Sequence, residues 1–264
     1  MSLATGPDLL ATIVAATRTA VEERERQRPL DALPPPARAG NGQRFEQALA
    51  ASPSPRIIAE CKRRSPSKGI LRGRYDPAAH ASAYERAGAA AISVLTEPTF
   101  FDGSLAHLAA VRAAVDVPVL RKDFIVTDYQ VHETAAAGAD ALLLIVAALD
   151  DADLRRLLGI AAAAGLAALV EVHDQGELER ALAAGARIVG VNSRNLRTLQ
   201  VDLQVLEALG PRIPESVVAV AESGIAGADD IRRLSTFGYD AFLVGERLIT
   251  REDPGAALQE LRSS

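Results

Sequence analysis

The sequence holds a single cysteine, Cys61, among 264 residues, so no disulfide can close within it and no metal site can be built from several thiolates. An intracellular protein fits that usage. Histidine is also scarce: the four, His80, His107, His132 and His173, show no metal-ligand spacing, and no metal is expected. No apolar run approaches the roughly 20 residues that span a bilayer, and the N-terminal stretch lacks the basic start of a signal peptide, so a cytoplasmic protein without a membrane partner is expected. Positive charge is in deficit, with 29 Lys and Arg against 34 Asp and Glu, a net charge of -5. That balance argues against a nucleic-acid partner and leaves room for a local basic pocket.

What is present is a repeated phrase. Ala-Gly or a close variant is followed by a small or acidic residue and then an apolar run, in "AGAAAISVL", "AGADALLLIV", "AGARIVGV" and "FGYDAFLVG". The glycines, Gly88, Gly138, Gly185 and Gly238, recur every 47 to 53 residues, about two strand-plus-helix units. Four more apolar runs alternate with these, "IIAECK" ahead of the first and "VPVLRKDF", "LAALVEVH" and "VVAVAESG" between them, separated by segments with helical spacing. Eight strands alternating with helices require parallel pairing and crossovers, which leaves an open doubly wound sheet or a closed eightfold barrel. The regular count favours an α/β fold of the (β/α)8 TIM-barrel kind over residues 55–264. Residues 1–54 precede it as a helical extension within one domain of 264 residues, because they lack the apolar content for a core of their own. Leu10, Ile13, Val14, Thr17 and Val21 share one helical face, suited to covering a barrel mouth, "LPPPAR" breaks the chain, and "RFEQALAA" reads as a second helix.

Catalytic groups of such barrels sit where strands end. In "IIAECKRRSPSKG" Ile58, Glu60 and Lys62 share one strand face and Ile57, Ala59 and Cys61 the other, which makes Cys61 packing and turns Glu60 and Lys62 toward the mouth. The other strand ends carry Lys122, Glu171, Asn192, Arg194, Glu222, Ser223, Gly224 and Gly245. Lys122 would enter a partly apolar pocket beside Phe124, where burial is expected to lower its pKa; it reads as a general acid, a Schiff-base nucleophile or a solvated strand end. Glu171 is costly at a barrel mouth unless paired, and a lysine partner would let the two exchange protons. His173 reads as structural. "AESGI" and "LVGER" place Ser223, Gly224 and Gly245 in the loops after strands seven and eight, ahead of helices with unpaired first-turn amides, a frequent phosphate site; a phosphorylated small-molecule substrate follows.

With "IIAECKRRSPSKG", "SVLTEPTFFDGS", "VLRKDFI", "LVEVH", "GVNSRNL", "AESGI" and "FLVGE" in order along it, the chain resembles the indole-3-glycerol-phosphate synthase family. The resemblance implies a cofactor-free ring closure, decarboxylation and dehydration of 1-(2-carboxyphenylamino)-1-deoxyribulose 5-phosphate, a carboxy-lyase step of tryptophan biosynthesis. It implies Lys122 as general acid, Glu171 and Lys62 in the later proton transfers, and Glu60 orienting Lys62 or the substrate hydroxyls. Asn192 and Arg194 would position the substrate, Ser65 would meet its carboxylate, and Phe124 and the first helix would wall its ring. Ser223, Gly224 and Gly245 would bind phosphate, with Glu222 in support. Glu246 sets a carboxylate beside that loop, with Arg247 as the neighbour placed to neutralise it, while Arg63 and Arg64 belong to the outer turn and Lys68 to a solvated loop. The rivals are a Schiff-base aldolase, a sugar-phosphate isomerase, or an inactive barrel serving as an interaction subunit. A monomer or weak homodimer is expected.

Overall fold

The computed structural model describes residues 8–35, 41–51 and 55–263, so Pro36 to Arg38 of the expected chain break and the residues just before the expected start of the barrel lie outside the described part. Eight strands, β1 (Arg56–Cys61), β2 (Ala91–Leu95), β3 (Val119–Lys122), β4 (Ala141–Ile145), β5 (Ala167–Val172), β6 (Ile188–Asn192), β7 (Val218–Glu222) and β8 (Ala241–Val244), close into a barrel. Every neighbouring pair is parallel, and closure sets Ile58 of β1 opposite Ala91 of β2 and Leu243 of β8. All eight apolar runs are strands, and the expected TIM barrel is the fold.

Local chemistry punctuates each unit. Asp76, Ser104, Thr127, Asp150, Asp174 and Asp253 accept first-turn amides at helix starts, relieving donors the helix cannot pair. The repeat glycines Gly88, Gly138, Gly185 and Gly238 have φ of 79 to 91°, the left-handed turn that stops a helix and feeds the next strand.

Strand alternation then sorts the core. Ile57, Ala59 and Cys61 join the layer between barrel and helices, where burial also pushes the Cys61 thiol up in pKa. Ile58, Leu120, Leu143, Leu169, Val220 and Leu243 fill the barrel itself. The inner side chains change from aliphatic to charged toward the strand ends, so polarity is confined to one mouth.

Among the described residues two α-helices precede the barrel, α1 (Leu9–Gln27) and α2 (Gly42–Ala50), and they treat its two ends differently. Phe45 and Leu49 of α2 are fully buried against the strand-start residues Ala91, Ala141 and Ala241 in the inner cluster. Gly42 fits there because a Cβ would lie 2.3 Å from the Ala167 amide nitrogen. The apolar face of α1 instead leans over the polar mouth, with Leu10, Ile13, Thr17 and Val21 buried. Arg24 pins it by donating to both carboxylate oxygens of Glu133 at 2.8 and 3.1 Å, and Tyr129 donates to the Arg28 carbonyl at 2.9 Å.

Candidate active site

The mouth formed by the strand C-termini opens into a cavity of about 660 Å³. Leu9, Leu10 and Ile13 of α1 form one wall, and Phe124 and Phe101, with ring centroids 6.2 Å apart, form another. The floor is charged. Lys122 Nζ donates to Glu171 Oε2 at 2.7 Å and lies 3.2 Å from Glu222 Oε2, while Asn192 donates from Nδ2 to Glu171 Oε1 at 3.1 Å. Lys62 Nζ lies 2.6 Å from Glu60 Oε1. Five strands, β1, β3, β5, β6 and β7, thereby bring the sequence-selected Glu60, Lys62, Lys122, Glu171, Asn192 and Glu222 together.

Electrostatics divide labour among these groups. Burial alone would lower the pKa of Lys122, as the sequence suggests, but the carboxylates of Glu171, Glu222 and Glu60 outweigh it and hold the ammonium above its usual value. That corrects the expectation of a lowered pKa: Lys122 is protonated at neutral pH, as a general acid must be before it acts, and is not the free amine a Schiff-base nucleophile uses. Burial raises Glu171, yet Lys122 and His173 reverse the sign and keep it an anion. Glu222 goes the other way: burial and the Glu171 charge exceed the help from Lys122 and push it up to about 8. Its Oε1 has no hydrogen-bond partner among the described residues, as suits a carboxyl that keeps its proton at neutral pH. Glu222 also sits beneath the cavity rather than on its wall, fitted over Gly190, where a Cβ would come within 2.1 Å of Oε1. Gly190 was not selected from sequence, although an isolated glycine inside a strand signals close approach by another group.

Ser65, Arg194, Ser223, Gly224 and Gly245 also line the cavity. Ser65 is buried in a short hairpin, Arg64–Ser65 against Gly69–Ile70, and Arg194 is tied by its guanidinium to the Leu199 carbonyl at 3.0 Å. Ser223 and Gly224 turn with φ of 67 and 74°; a serine in that left-handed region is strained, as residues at functional sites often are. The helix after them starts only at Ala228, and Asp230 already accepts the amides of Ala226 and Gly227 at 2.9 and 3.2 Å. The two amides just ahead of that helix are therefore taken, while the Ser223–Gly224 turn lines the cavity.

Two surface assignments change. Glu246 is neutralised by Lys68, which lines the cavity and is not a free loop lysine, whereas Arg247 binds Glu260 Oε2 and the Ala226 carbonyl, both at 3.0 Å. Arg63 and Arg64 do face outward, to Asp102 and to the Thr99 carbonyl. Among the described residues no group of three or more His, Cys, Asp or Glu could hold a metal, and no helix is long and apolar enough to cross a membrane.

A lysine-carboxylate cluster flooring a cavity at the C-terminal mouth of a closed parallel barrel is the layout of a (β/α)8-barrel enzyme. Solved structures agree on the fold: a 3-hexulose-6-phosphate synthase superposes with a TM-score of 0.64 at 18% identity, covering 79% of this chain and 99% of that one. A thiamine phosphate pyrophosphorylase from Pyrococcus furiosus gives 0.63 at 20%, covering 83% and 96%. The chain belongs to the indole-3-glycerol phosphate synthase family, whose model matches residues 10–261. Relatives bearing that name include one from Parafrankia sp., 51% identical over 252 residues and covering 96% of this chain and 94% of that one. Another, from Nocardioides sp., is 59% identical over 205 residues, covering 78% and 79%.

Proposed function

We propose that the protein converts 1-(2-carboxyphenylamino)-1-deoxyribulose 5-phosphate into indole-3-glycerol phosphate, carbon dioxide and water, as a carboxy-lyase of tryptophan biosynthesis. The observation that carries this reading is Lys122, a buried and charged ammonium at the floor of a cavity with apolar walls on one side and the Ser223–Gly224 turn on another. The substrate has matching parts: an aromatic ring, a reacting ketone and a terminal phosphate.

In the first step the ring carbon bearing the carboxylate attacks the ketone carbon. A new carbon-carbon bond forms, and the ketone oxygen takes the proton that leaves Lys122 Nζ. The carboxylate then departs as carbon dioxide, its bonding pair returning to the ring system. Finally the new hydroxyl leaves as water with a proton supplied by an acid, and the carbon beside nitrogen gives one up to a base. Glu171 and Lys62 are assigned jointly to these later transfers, and Glu60 holds Lys62. Asn192 and Arg194 position the substrate, Ser65 meets the carboxylate, and Phe124 with α1 flanks the ring. Ser223, Gly224 and Gly245 receive the phosphate. Glu222, protonated, supports Lys122 from below. No cofactor enters these steps.

Borohydride separates this reading from aldolase chemistry. Treatment of the protein mixed with substrate is expected to leave every lysine unmodified, although the reagent also reduces the substrate ketone; a reduced adduct on Lys122 would transfer the protein to the Schiff-base class.

A further inference from the structure

Glu171 is held by more than Lys122 and Asn192. Two residues further on, His173 sets its ring between two carboxylates, with Nε2 3.3 Å from Glu171 Oε1 and Nδ1 3.0 Å from Glu177 Oε2. Glu177 is fixed in turn. It lies in the first turn of the helix Gln175–Ala183, its amide donates to Asp174 Oδ1 at 2.9 Å, and its Oε2 accepts the His173 amide at 2.8 Å. The start of a helix thus sets the ring from outside the cavity, and ring Nε2 faces Glu171 without an aligned hydrogen bond among the described residues.

We propose that His173, anchored by Glu177, is a positioning residue that keeps Glu171 a carboxylate through the step in which Lys122 gives up its proton. The proposal rests on the reaction assigned above. Before that step, Glu171 faces the Lys122 ammonium from β3, the Asn192 amide from β6 and the Glu222 carboxyl from β7, and Glu60 from β1 adds to the field on Lys122. Once Lys122 is a neutral amine, the carboxylate loses its nearest cation at a site only 1% exposed. A buried carboxylate without a cation takes up a proton, and would do so before the ring has one to give. An imidazolium 3.3 Å from Oε1 supplies the missing charge without touching the substrate. Burial disfavours charge on His173, but the carboxylates of Glu171 and Glu177 on either side of the ring outweigh it and raise its pKa to about 10, so the ring is cationic at neutral pH.

The experiment uses the whole chain and three variants, His173→Gln, His173→Lys and Glu177→Gln, with melting curves to establish folding. Wild-type turnover is measured first, so a failure of the functional reading shows separately. Nitrogen NMR of histidine-labelled wild type is expected to find His173 protonated at about pH 8, where an ordinary histidine is neutral. His173→Gln is expected to lower kcat at least ~10-fold with KM changed less than about threefold, and to move the acid limb of the kcat profile up by about one pH unit. His173→Lys, which keeps a cation, should return the limb toward wild type. Glu177→Gln should lower the His173 pKa and move the limb the same way by less, and it carries the test if His173→Gln does not fold. A neutral His173 at that pH would overturn the proposal. So would an unmoved limb in folded His173→Gln, or in Glu177→Gln if that variant must stand in.

Discussion

A Cβ on Gly245 would lie 2.2 Å from Oε1 of Glu60. The last barrel loop therefore has a role besides its proposed phosphate contact, because its missing side chain makes room for the carboxylate that lies 2.6 Å from Lys62. Gly245→Ala is expected to push Glu60 away and cut turnover at least ~10-fold, with an overpacking cost of about 1–3 kcal/mol. Steady-state kinetics and melting curves on the folded variant check this.

Lys122→Ala should reduce turnover at least ~100-fold, the scale of a positioned proton donor, while the barrel survives. Near-normal turnover would remove Lys122 from the chemistry. The variant leaves Glu171 and Glu222 facing each other without their lysine, and like charges in a buried site cannot both ionise, so its stability should also fall more steeply with rising pH than that of the wild type.

The eight strands and the mouth residues were legible because alternation is a local rule. Glu60 and Lys62 point inward for the same reason that Ile58 does. The pairings were not, since they join segments far apart in sequence: Lys68 with Glu246, Glu222 with Gly190, and Gly245 with Glu60. The sign of the Lys122 shift was missed for that reason too, because the sequence gives the burial of the amine but not the three carboxylates around it. His173 and Glu177 lie only four positions apart and could have been paired at a helix start, but the approach to Glu171 depends on how that helix leaves its strand.

Glu222 makes stability pH-dependent in a direction that can be worked out. Its folded pKa, about 8, lies above the unfolded 4.5, so the folded state binds more protons between those values and loses stability as pH rises through that window. Glu222→Gln removes the penalty, and the melting temperature of variant minus wild type should climb from pH 5 to pH 9, by roughly 2–4 °C for each 1 kcal/mol recovered. A difference independent of pH would contradict the assignment of the proton to Glu222.

The Lys68 and Glu246 pair lines the cavity beside Gly245 of the proposed phosphate loop, and freeing the lysine should strengthen anion binding there. Inorganic phosphate is expected to compete with substrate, with an inhibition constant about 2–5-fold lower in Glu246→Gln and higher by a similar factor in Lys68→Met, the range of one partly exposed ion pair. Absence of competition in all three proteins would count against phosphate at this loop.

The most direct measurement is turnover of 1-(2-carboxyphenylamino)-1-deoxyribulose 5-phosphate by the purified protein in the presence of a metal chelator, followed by indole fluorescence. Fluorescence growing in proportion to enzyme, with one carbon dioxide released per indole formed, is the predicted result. A folded protein that leaves this substrate unchanged would contradict the account.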